Sequence, residues 1–218
     1  MKIPRDWTFK TAHSARHFDR HVREQLPWYE LTTGVIAHIA RHYIPEGGMV
    51  YDIGASTGNV GKAIASTLKT RGAKLVALDN SPNMKPLYEG PGELTIADAT
   101  TYDFQPFDLA VCFLSLMFVH PAKRGHLLAT LRKQTKPGGA LVIFDKTVPE
   151  SGYVATVLWR LTLAGKISNG ADPSDVIAKE LSLSGVQRPI EPKELPGAVE
   201  IFRFGDFAGW IIEQSARQ

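Results

Sequence analysis

The feature that most constrains the fold is an alternation of short apolar runs with segments of helical periodicity between residues 49 and 146. The runs that read as strands are MVYDIG (49–54), KLVALD (74–79), LTIAD (94–98), DLAVCFLS (108–115) and ALVIFDK (140–146). Because they are apolar at successive positions, both strand faces are expected to be covered, as in a parallel sheet between helices. The alternation predicts an α/β fold with a doubly wound, Rossmann-like sheet.

The flanking segments complete this prediction. Apolar residues from Arg20 to Tyr43 recur at three- and four-residue steps, which predicts a helix that Pro27 splits in two. A helix is also expected over 122–136, before Pro137-Gly138-Gly139. The last two apolar runs meet at Gly205-Asp206 and predict a C-terminal antiparallel hairpin. We expect one domain over 1–218, in which 1–46 form a mobile arm and a helical lid and 147–197 form a cap insertion.

Composition excludes several classes. The chain has 218 residues, of which 44% are hydrophobic and 22% charged, so wholesale disorder is excluded. Its single cysteine, Cys112, cannot form an intrachain disulfide. No apolar run approaches the ~20 residues of a membrane span, and the polar N-terminus lacks the apolar core of a signal peptide. A cytoplasmic protein without a membrane partner is expected, and a net charge of +3 is too small to imply nucleic-acid binding.

The segment YDIGASTGNVG (51–61) directly follows the first predicted strand. A strand that turns into a helix through glycines lets the backbone approach a ligand closely, and we expect it to aim free amide N–H groups at that ligand. The spacing, Gly54-x-x-x-Gly58, departs from the dinucleotide fingerprint G-x-G-x-x-G. By itself such a turn is also compatible with a purely structural role.

Two acidic residues strengthen the prediction of a binding site. Asp79 ends the second predicted strand, where a carboxylate reaches the hydroxyls of a bound ribose, although a turn or helix cap in DNSPNM is the alternative. Asp98, followed by Ala99, ends the third and could accept a hydrogen bond from an adenine amino group. Phe113 lies near the end of the fourth strand, beside the expected crevice. Together these strand ends predict a site for an adenosine ligand without a long phosphate chain.

The identity of that ligand follows in part by elimination. None of the tyrosines has a lysine four residues on, as a Tyr-x-x-x-Lys nicotinamide reductase would need, and the phosphate loop G-x-x-x-x-G-K-[ST] is absent. S-adenosylmethionine remains as the expected cofactor, and an enzyme that uses it chiefly has to position and desolvate the reactants. A nucleotide-dependent oxidoreductase stays open as a minor alternative, which failure to bind NAD would dismiss.

The segments VYDIGASTG, LVALDNSPNM, IADAT and KPGGALVIFDK resemble the class I S-adenosylmethionine-dependent methyltransferase family. More narrowly they resemble the carboxy-S-adenosylmethionine synthases of tRNA modification. The resemblance covers Phe18 to Lys146 and returns in IFRFGDFAGWI. With the glycine turn, it implies cofactor contacts at Tyr29, Gly54, Ala55, Ser56, Gly58, Asp79, Asn80, Asp98, Ala99 and Phe113.

The sequence also departs from the narrower group. Those synthases hold the added carboxylate with an arginine from a neighbouring subunit, which implies a homodimer, but the equivalent stretch DVIAKELSLSG contains no arginine. Arg188 and Arg203 are the candidate substitutes, and Phe113 replaces an asparagine of the group. We therefore predict a methyltransferase acting on an unidentified small-molecule or RNA acceptor. A synthase that forms carboxy-S-adenosylmethionine and a non-catalytic cofactor-binding protein are the alternatives.

The remaining candidates concern catalysis and other ligands. Tyr29 is predicted to lie over the methyl-bearing sulfonium, and Asp145 is either a general base or a helix cap. His13, His17 and His21 lack the further ligands of a metal site, so no metal is predicted. The basic residues of 123–136 could contact phosphates, but a solvated helix face is the preferred interpretation; they are Lys123, Arg124, Arg132, Lys133 and Lys136.

Overall fold

The computed structural model of the protein describes residues 18–148 and 152–215. Its helices are α1 (Phe18–Gln25), α2 (Tyr29–Tyr43), α3 (Asn59–Thr70), α4 (Pro121–Gln134), α5 (Tyr153–Ser168) and α6 (Pro173–Ser182). Its strands are β1 (Met49–Ile53), β2 (Lys74–Asp79), β3 (Leu94–Ile96), β4 (Phe107–Phe113), β5 (Thr135–Lys146), β6 (Val199–Phe204) and β7 (Phe207–Glu213). Short 3-10 helices occupy Pro82–Leu87, Leu116–Phe118 and Pro192–Glu194. Most of the predicted mobile arm lies outside the described residues, but residues 18–20 already belong to α1.

The seven strands form one sheet in the order β3-β2-β1-β4-β5-β7-β6. Strands β1 to β5 pair in parallel, whereas β7 pairs antiparallel with both β5 and β6. This arrangement confirms the doubly wound, mostly parallel sheet and the C-terminal hairpin. The strand order reverses between β1 and β4, and a crevice opens at the carboxyl ends of the strands at such a reversal.

Both faces of the sheet are covered, as the apolar strands predict. All seven residues of β4 are buried, and its side chains alternate between the two layers. Leu109, Val111 and Phe113 pack with α2 and α3 on one face. Ala110 and Cys112 pack on the other, where α4 contributes Leu127, Leu128 and Leu131. Pro27 separates α1 from α2, which confirms the predicted split.

Several predicted boundaries are wrong, among them the end of the fourth strand, which lies at Phe113 and not at Ser115. β3 ends at Ile96, so Asp98 lies in the following loop and does not end the strand. Helix α4 ends at Gln134 and β5 begins at Thr135, which places Pro137-Gly138-Gly139 inside the strand. The physical reason is a local irregularity: Thr135 pairs with Phe107, the register then shifts before Leu109, and Gly138 adopts φ +80°. Glycine tolerates that conformation and lets the strand continue.

Helices α5 and α6 and the last 3-10 helix lie within 147–197. Arg124 of α4 ties this segment to the sheet layer, because its buried guanidinium bonds Glu194 at 2.8 Å and the carbonyl of Arg188 at 2.7 Å. The single-domain organisation and the cap role of this segment stay predictions. Among the described helices, none combines the length and the apolar character that a membrane crossing requires.

Candidate functional site

A cleft of about 1020 Å³ opens at the carboxyl ends of β1, β2 and β4. It lies at the reversal of strand order, where ligands bind in open α/β sheets. Most of the predicted contact residues line it: Tyr29, Gly54, Ala55, Ser56, Asp79, Asn80, Asp98, Ala99 and Phe113. Gly58 and Asp145 do not line it. The structure thus brings together side chains from five separate stretches of the chain.

The loop after β1 forms the floor of the cleft. Gly54 has φ +80°, and an added Cβ would lie 2.5 Å from the Cβ of Ser115, so no side chain fits there. The amides of Gly54 and Ala55 both donate to the carbonyl of Leu78 at 2.8 Å, and the Ser56 amide donates to Asp79 at 2.9 Å. The expectation that these amides are free for a ligand is therefore wrong. They fasten the loop to β2 instead.

Gly58 serves packing. It precedes α3 with φ +88°, and an added Cβ would come within 2.5 Å of the Gly90 amide nitrogen. Its amide donates to the carbonyl of Ala55 at 2.8 Å, which closes the turn. Gly58 does not line the cleft, so no contact supports its predicted role in binding. Its lack of a side chain instead allows the loop at 88–90 to approach α3 closely.

Asp79 holds the turn that follows β2, which is the alternative role that the sequence left open, and it also lines the cleft. Its Oδ1 accepts from the amide of Ser81 at 2.8 Å, which stabilises the turn, and its Oδ2 accepts from Ser56. Burial raises the pKa of Asp79, while the backbone donors oppose the shift. Since an ionised carboxylate offers about four acceptor positions, Asp79 can hold the turn and still receive a ligand hydroxyl.

Asp52 is a site residue that the sequence reasoning missed. It lies on β1, is 1% exposed and lines the cleft, and its Oδ2 has no hydrogen-bond partner. Burial, followed by the neighbouring Asp79, raises its pKa to about 7. Buried polar atoms are almost always paired, so this oxygen points to a ligand donor. The sequence contained one indication of this site, since Asp52 is an acidic residue two positions before Gly54, the first glycine of the turn.

Tyr29 connects the lid to the cleft. The ring is 3% exposed and packs against Phe113, with the ring centroids 5.2 Å apart. Its hydroxyl accepts from the Asn59 side chain at 3.0 Å, and Asn59 also donates to Asp19 of α1 at 2.9 Å. Burial raises the pKa of Tyr29, so the hydroxyl stays protonated at neutral pH. Asn59 and Asp19 are further residues that the sequence analysis did not single out.

Asp98 caps a turn at the rim of the cleft. Its Oδ1 accepts from both the amide and the hydroxyl of Thr100, each at 2.8 Å. The Thr100 amide bond, which exceeds the opposing effect of burial, lowers the pKa of Asp98. The carboxylate is therefore ionised and locally held. Ala99 lies beside it in the lining.

Asp145 occupies a buried position away from the cleft lining. Its Oδ2 accepts from the Met117 amide at 3.2 Å and its Oδ1 from the Lys146 amide at 3.1 Å. Burial raises the pKa of Asp145 to about 7. These bonds match the helix-cap interpretation, because Met117 belongs to the 3-10 helix after β4. Its candidacy as a general base has no contact with the cleft to support it.

The cleft is acidic. Among the described residues, its lining contains three carboxylates, Asp52, Asp79 and Asp98, and no lysine, arginine or histidine. The two arginines considered as carboxylate partners lie elsewhere: Arg188 is exposed, and Arg203 of β6 pairs with Glu200. A lining of this sign attracts a cationic ligand and offers no direct partner to an additional carboxylate.

Two further candidate sites were a group of histidines and the basic segment 123–136. No group of three metal-ligating side chains occurs within 18–148 and 152–215, and His13 and His17 lie outside those ranges. In the basic segment 123–136, Arg124 is fully buried, so the solvated-face interpretation is wrong for that residue. Lys136 pairs with Asp108 at 2.8 Å, whereas Lys123 and Lys133 are exposed.

The chain was compared with known proteins. Residues 50–139 match the family model described as a methyltransferase domain. A carboxy-S-adenosyl-L-methionine synthase of Staphylococcus epidermidis is 27% identical over 213 residues, which cover 95% of this chain and 93% of that protein. The enzyme of the same name from Wolinella succinogenes is 28% identical, covering 90% of this chain and 89% of that protein.

Solved structures share the fold. An S-adenosylmethionine-dependent methyltransferase from Clostridium acetobutylicum superposes with a TM-score of 0.60 at 10% identity, covering 93% of this chain and 98% of that one. A second, from Methanosarcina mazei, has a TM-score of 0.52 at 18% identity, covering 82% and 98%. The comparisons confirm the Rossmann-like methyltransferase fold, the resemblance stated from the sequence and the transferase class.

Proposed function

We propose that this chain, an S-adenosylmethionine-dependent transferase with a methyltransferase domain at residues 50–139, binds that cofactor in the cleft and transfers its methyl group to an acceptor. The observation that carries the proposal is the acidic cleft, whose described lining has three carboxylates and no basic side chain. S-adenosylmethionine is cationic at its sulfonium and at its amino group. The charge of the lining complements both.

The geometry of the cleft fits the cofactor. Gly54 lets Ser115 pack against the loop after β1 at the floor of the cleft, and the unpaired Oδ2 of Asp52 can accept from the cofactor's amino group. Asp79 offers its remaining acceptor positions to the ribose hydroxyls. Asp98 and Ala99 lie where the adenine would extend along the rim.

Two aromatic residues of the cleft would hold and enclose the sulfonium of the bound cofactor. Tyr29 and Phe113 present adjoining rings to the cleft, and aromatic faces attract cations. When bound, the cofactor supplies a methyl group on a positively charged sulfur, which is open to attack by a lone pair of the acceptor. The chain contributes orientation and exclusion of water, which are the main requirements of methyl transfer from an already activated sulfonium.

A carboxy-S-adenosylmethionine synthase-like activity is the second candidate. It is favoured by one observation: the resemblance to those synthases extends over 95% of this chain and so includes the lid and the C-terminal segments. Against it stands the lack of a cation in the described lining. Calorimetric titration with S-adenosylmethionine and with its carboxy form separates the two, and tighter binding of the carboxy form would contradict the proposed methyl transfer.

The decisive test uses Asp79. We expect Asp79→Ala to abolish measurable cofactor binding in calorimetry, and Asp79→Asn to weaken it at least tenfold, because each charge-assisted hydrogen bond contributes about 1.5–3 kcal/mol. Asp103→Ala is the matched control, since that carboxylate lies outside the lining. Circular dichroism establishes that each variant is folded. Unchanged binding by folded Asp79→Ala would refute this placement of the ribose.

Catalysis is tested separately from binding. Release of S-adenosylhomocysteine in the presence of candidate acceptors distinguishes an enzyme from a non-catalytic cofactor-binding protein. Small molecules and RNA are both candidate acceptors. A role in tRNA modification, a homodimer and a cytoplasmic location stay predictions.

A further inference from the structure

A second cavity of about 610 Å³ adjoins the cofactor cleft. It lies between α1, α5 and α6, near the carboxyl ends of β4 and β5, and it shares Leu114 and Phe118 with the cleft. Leu114 has φ +56°, a backbone conformation that is rare for residues other than glycine and that is concentrated at functional sites. A ligand in this cavity would lie next to the cofactor, because the two spaces share these side chains.

One buried polar atom of this cavity has no partner, and it belongs to Gln25, the last residue of α1. The residue is 3% exposed, its side chain lines the cavity, and the unpaired atom is its Oε1. Of the described side chains in this lining, no other holds a buried polar atom in that state. Buried side-chain oxygens are almost always paired, since an unpaired one forfeits the hydrogen bonds that water would supply. The Oε1 of Gln25 therefore points to a ligand that donates a hydrogen bond.

The charged side chains of the wall interact with one another. Glu180 lies 2.7 Å from the Nζ of Lys166 and 3.1 Å from that of Lys146. The Nζ of Lys179 lies 2.8 Å from the Nε2 of His21. Because these groups have partners within the protein, an uncharged ligand leaves each of these contacts in place.

The remaining wall is largely apolar. Val22 and Leu26 belong to α1 and the residue that follows it, Leu183 follows α6, and Phe207 begins β7; all four are buried. A mostly apolar wall with a few fixed polar groups is typical of small-molecule sites, and the volume lies within the range of such sites. Burial of an apolar ring against these side chains would stabilise the complex.

We propose that this second cavity binds an uncharged small molecule with an apolar ring and one hydroxyl group. The hydroxyl donates to the Oε1 of Gln25, and the ring packs against the apolar wall. A hydroxyl has one hydrogen to donate, which matches one unpaired oxygen, whereas a primary amide would bring two. The proposal goes beyond the proposed function, because it concerns a second ligand whose binding does not require the cofactor.

The test uses phenol as the probe and anisole as its counterpart, because the methyl ether keeps the ring and the oxygen but has no hydrogen to donate. Calorimetric titrations are run with the protein alone and with the protein saturated with S-adenosylhomocysteine. We expect phenol to bind at least tenfold more tightly than anisole in both titrations, since the two ligands occupy adjoining spaces. Equal binding of phenol and anisole, or no binding of either, overturns the proposal without requiring any variant to fold.

Gln25→Met keeps the length of the side chain and removes its acceptor. We expect this variant to bind phenol no more tightly than anisole, with the affinities for anisole and for S-adenosylhomocysteine unchanged. Gln105→Met is the matched control and should behave as the wild type, since that glutamine is exposed and lies outside both linings. A preference for phenol that survives in Gln25→Met overturns the assignment to this residue.

Three further outcomes concern the class of the ligand and its place. Tighter binding of benzamide or of benzoate than of phenol overturns the assignment to an uncharged hydroxyl compound. Competition between phenol and S-adenosylhomocysteine would place phenol in the cleft and overturn the second site. If S-adenosylhomocysteine does not bind at all, the proposed function fails, whereas the titration of the protein alone still decides the nature of the second cavity.

Discussion

The carboxylates of the cleft illustrate how neighbouring residues acquire different properties. Asp79 is held by two backbone donors, whereas one oxygen of the neighbouring Asp52 has no partner. Asp52 is buried and Asp79 is partly buried; burial, followed by the charge of Asp79, raises the pKa of Asp52 to about 7. A buried acid with a shifted pKa that lines a cleft is typical of a functional site.

This pKa makes cofactor affinity pH-dependent. Below pH 7 the unliganded protein binds a proton at Asp52, which must be released before the carboxylate can face a cation. The affinity for S-adenosylmethionine should therefore fall with decreasing pH, by up to about tenfold per pH unit below 7. Calorimetry between pH 5.5 and 7.5 measures the slope. Asp52→Asn should remove it, and a flat profile for the wild-type protein would contradict the role given to Asp52.

At the scale of elements, a single side chain joins α4 to the segment after α6. The guanidinium of Arg124 is 0% exposed and bonds both carboxylate oxygens of Glu194, at 2.8 and 3.1 Å. It also donates to the carbonyls of Val119 and Arg188. Because removing the arginine takes a donor from two carbonyls and the cation from Glu194, the link matters more than an exposed ion pair would.

We expect Arg124→Met to lower the free energy of unfolding by about 3 kcal/mol, since it removes the donor to the carbonyls of Val119 and Arg188 and the charge partner of Glu194. Urea denaturation measures the change. Lys133→Met on the exposed side of the same helix is the control and should stay within about 0.5 kcal/mol of the wild type. Similar stability of the two variants would show that the arginine does not hold the segment.

At the scale of the whole molecule, the proposed cofactor site unites distant parts of the chain. The cofactor cleft depends on α2 and on the segments that follow β1, β2, β3 and β4. A ligand that binds only this assembled state stabilises all of it, because unfolding must then release the ligand.

Saturation with cofactor should therefore raise the melting temperature. At a free ligand concentration of 100 times Kd the expected gain is about 2.7 kcal/mol. For a chain of this length that corresponds to roughly 5–10 °C. Differential scanning calorimetry with S-adenosylhomocysteine measures the shift, and NAD serves as the control ligand that should cause none. A shift with NAD and not with S-adenosylhomocysteine would favour the oxidoreductase alternative.

Local pattern alone predicted much of this protein. The apolar runs defined the strands, Pro27 separated the first two helices, and the order of glycine turn and acidic residues located the cleft, since parallel strands end at the same edge of a sheet. Such features depend on neighbours in sequence. The limits of β3 and β5 were wrong because pairing with other strands, and not propensity, decided where these strands begin and end.

Only the tertiary structure decided which polar groups have partners. The carbonyl of Leu78 takes up the amides of Gly54 and Ala55, and Glu194 lies across from Arg124, although each pair is far apart in sequence. The same long-range packing leaves one oxygen of Asp52 unpaired. Hydrogen bonds and desolvation depend on distances in space, which a residue's position in the sequence does not encode by itself.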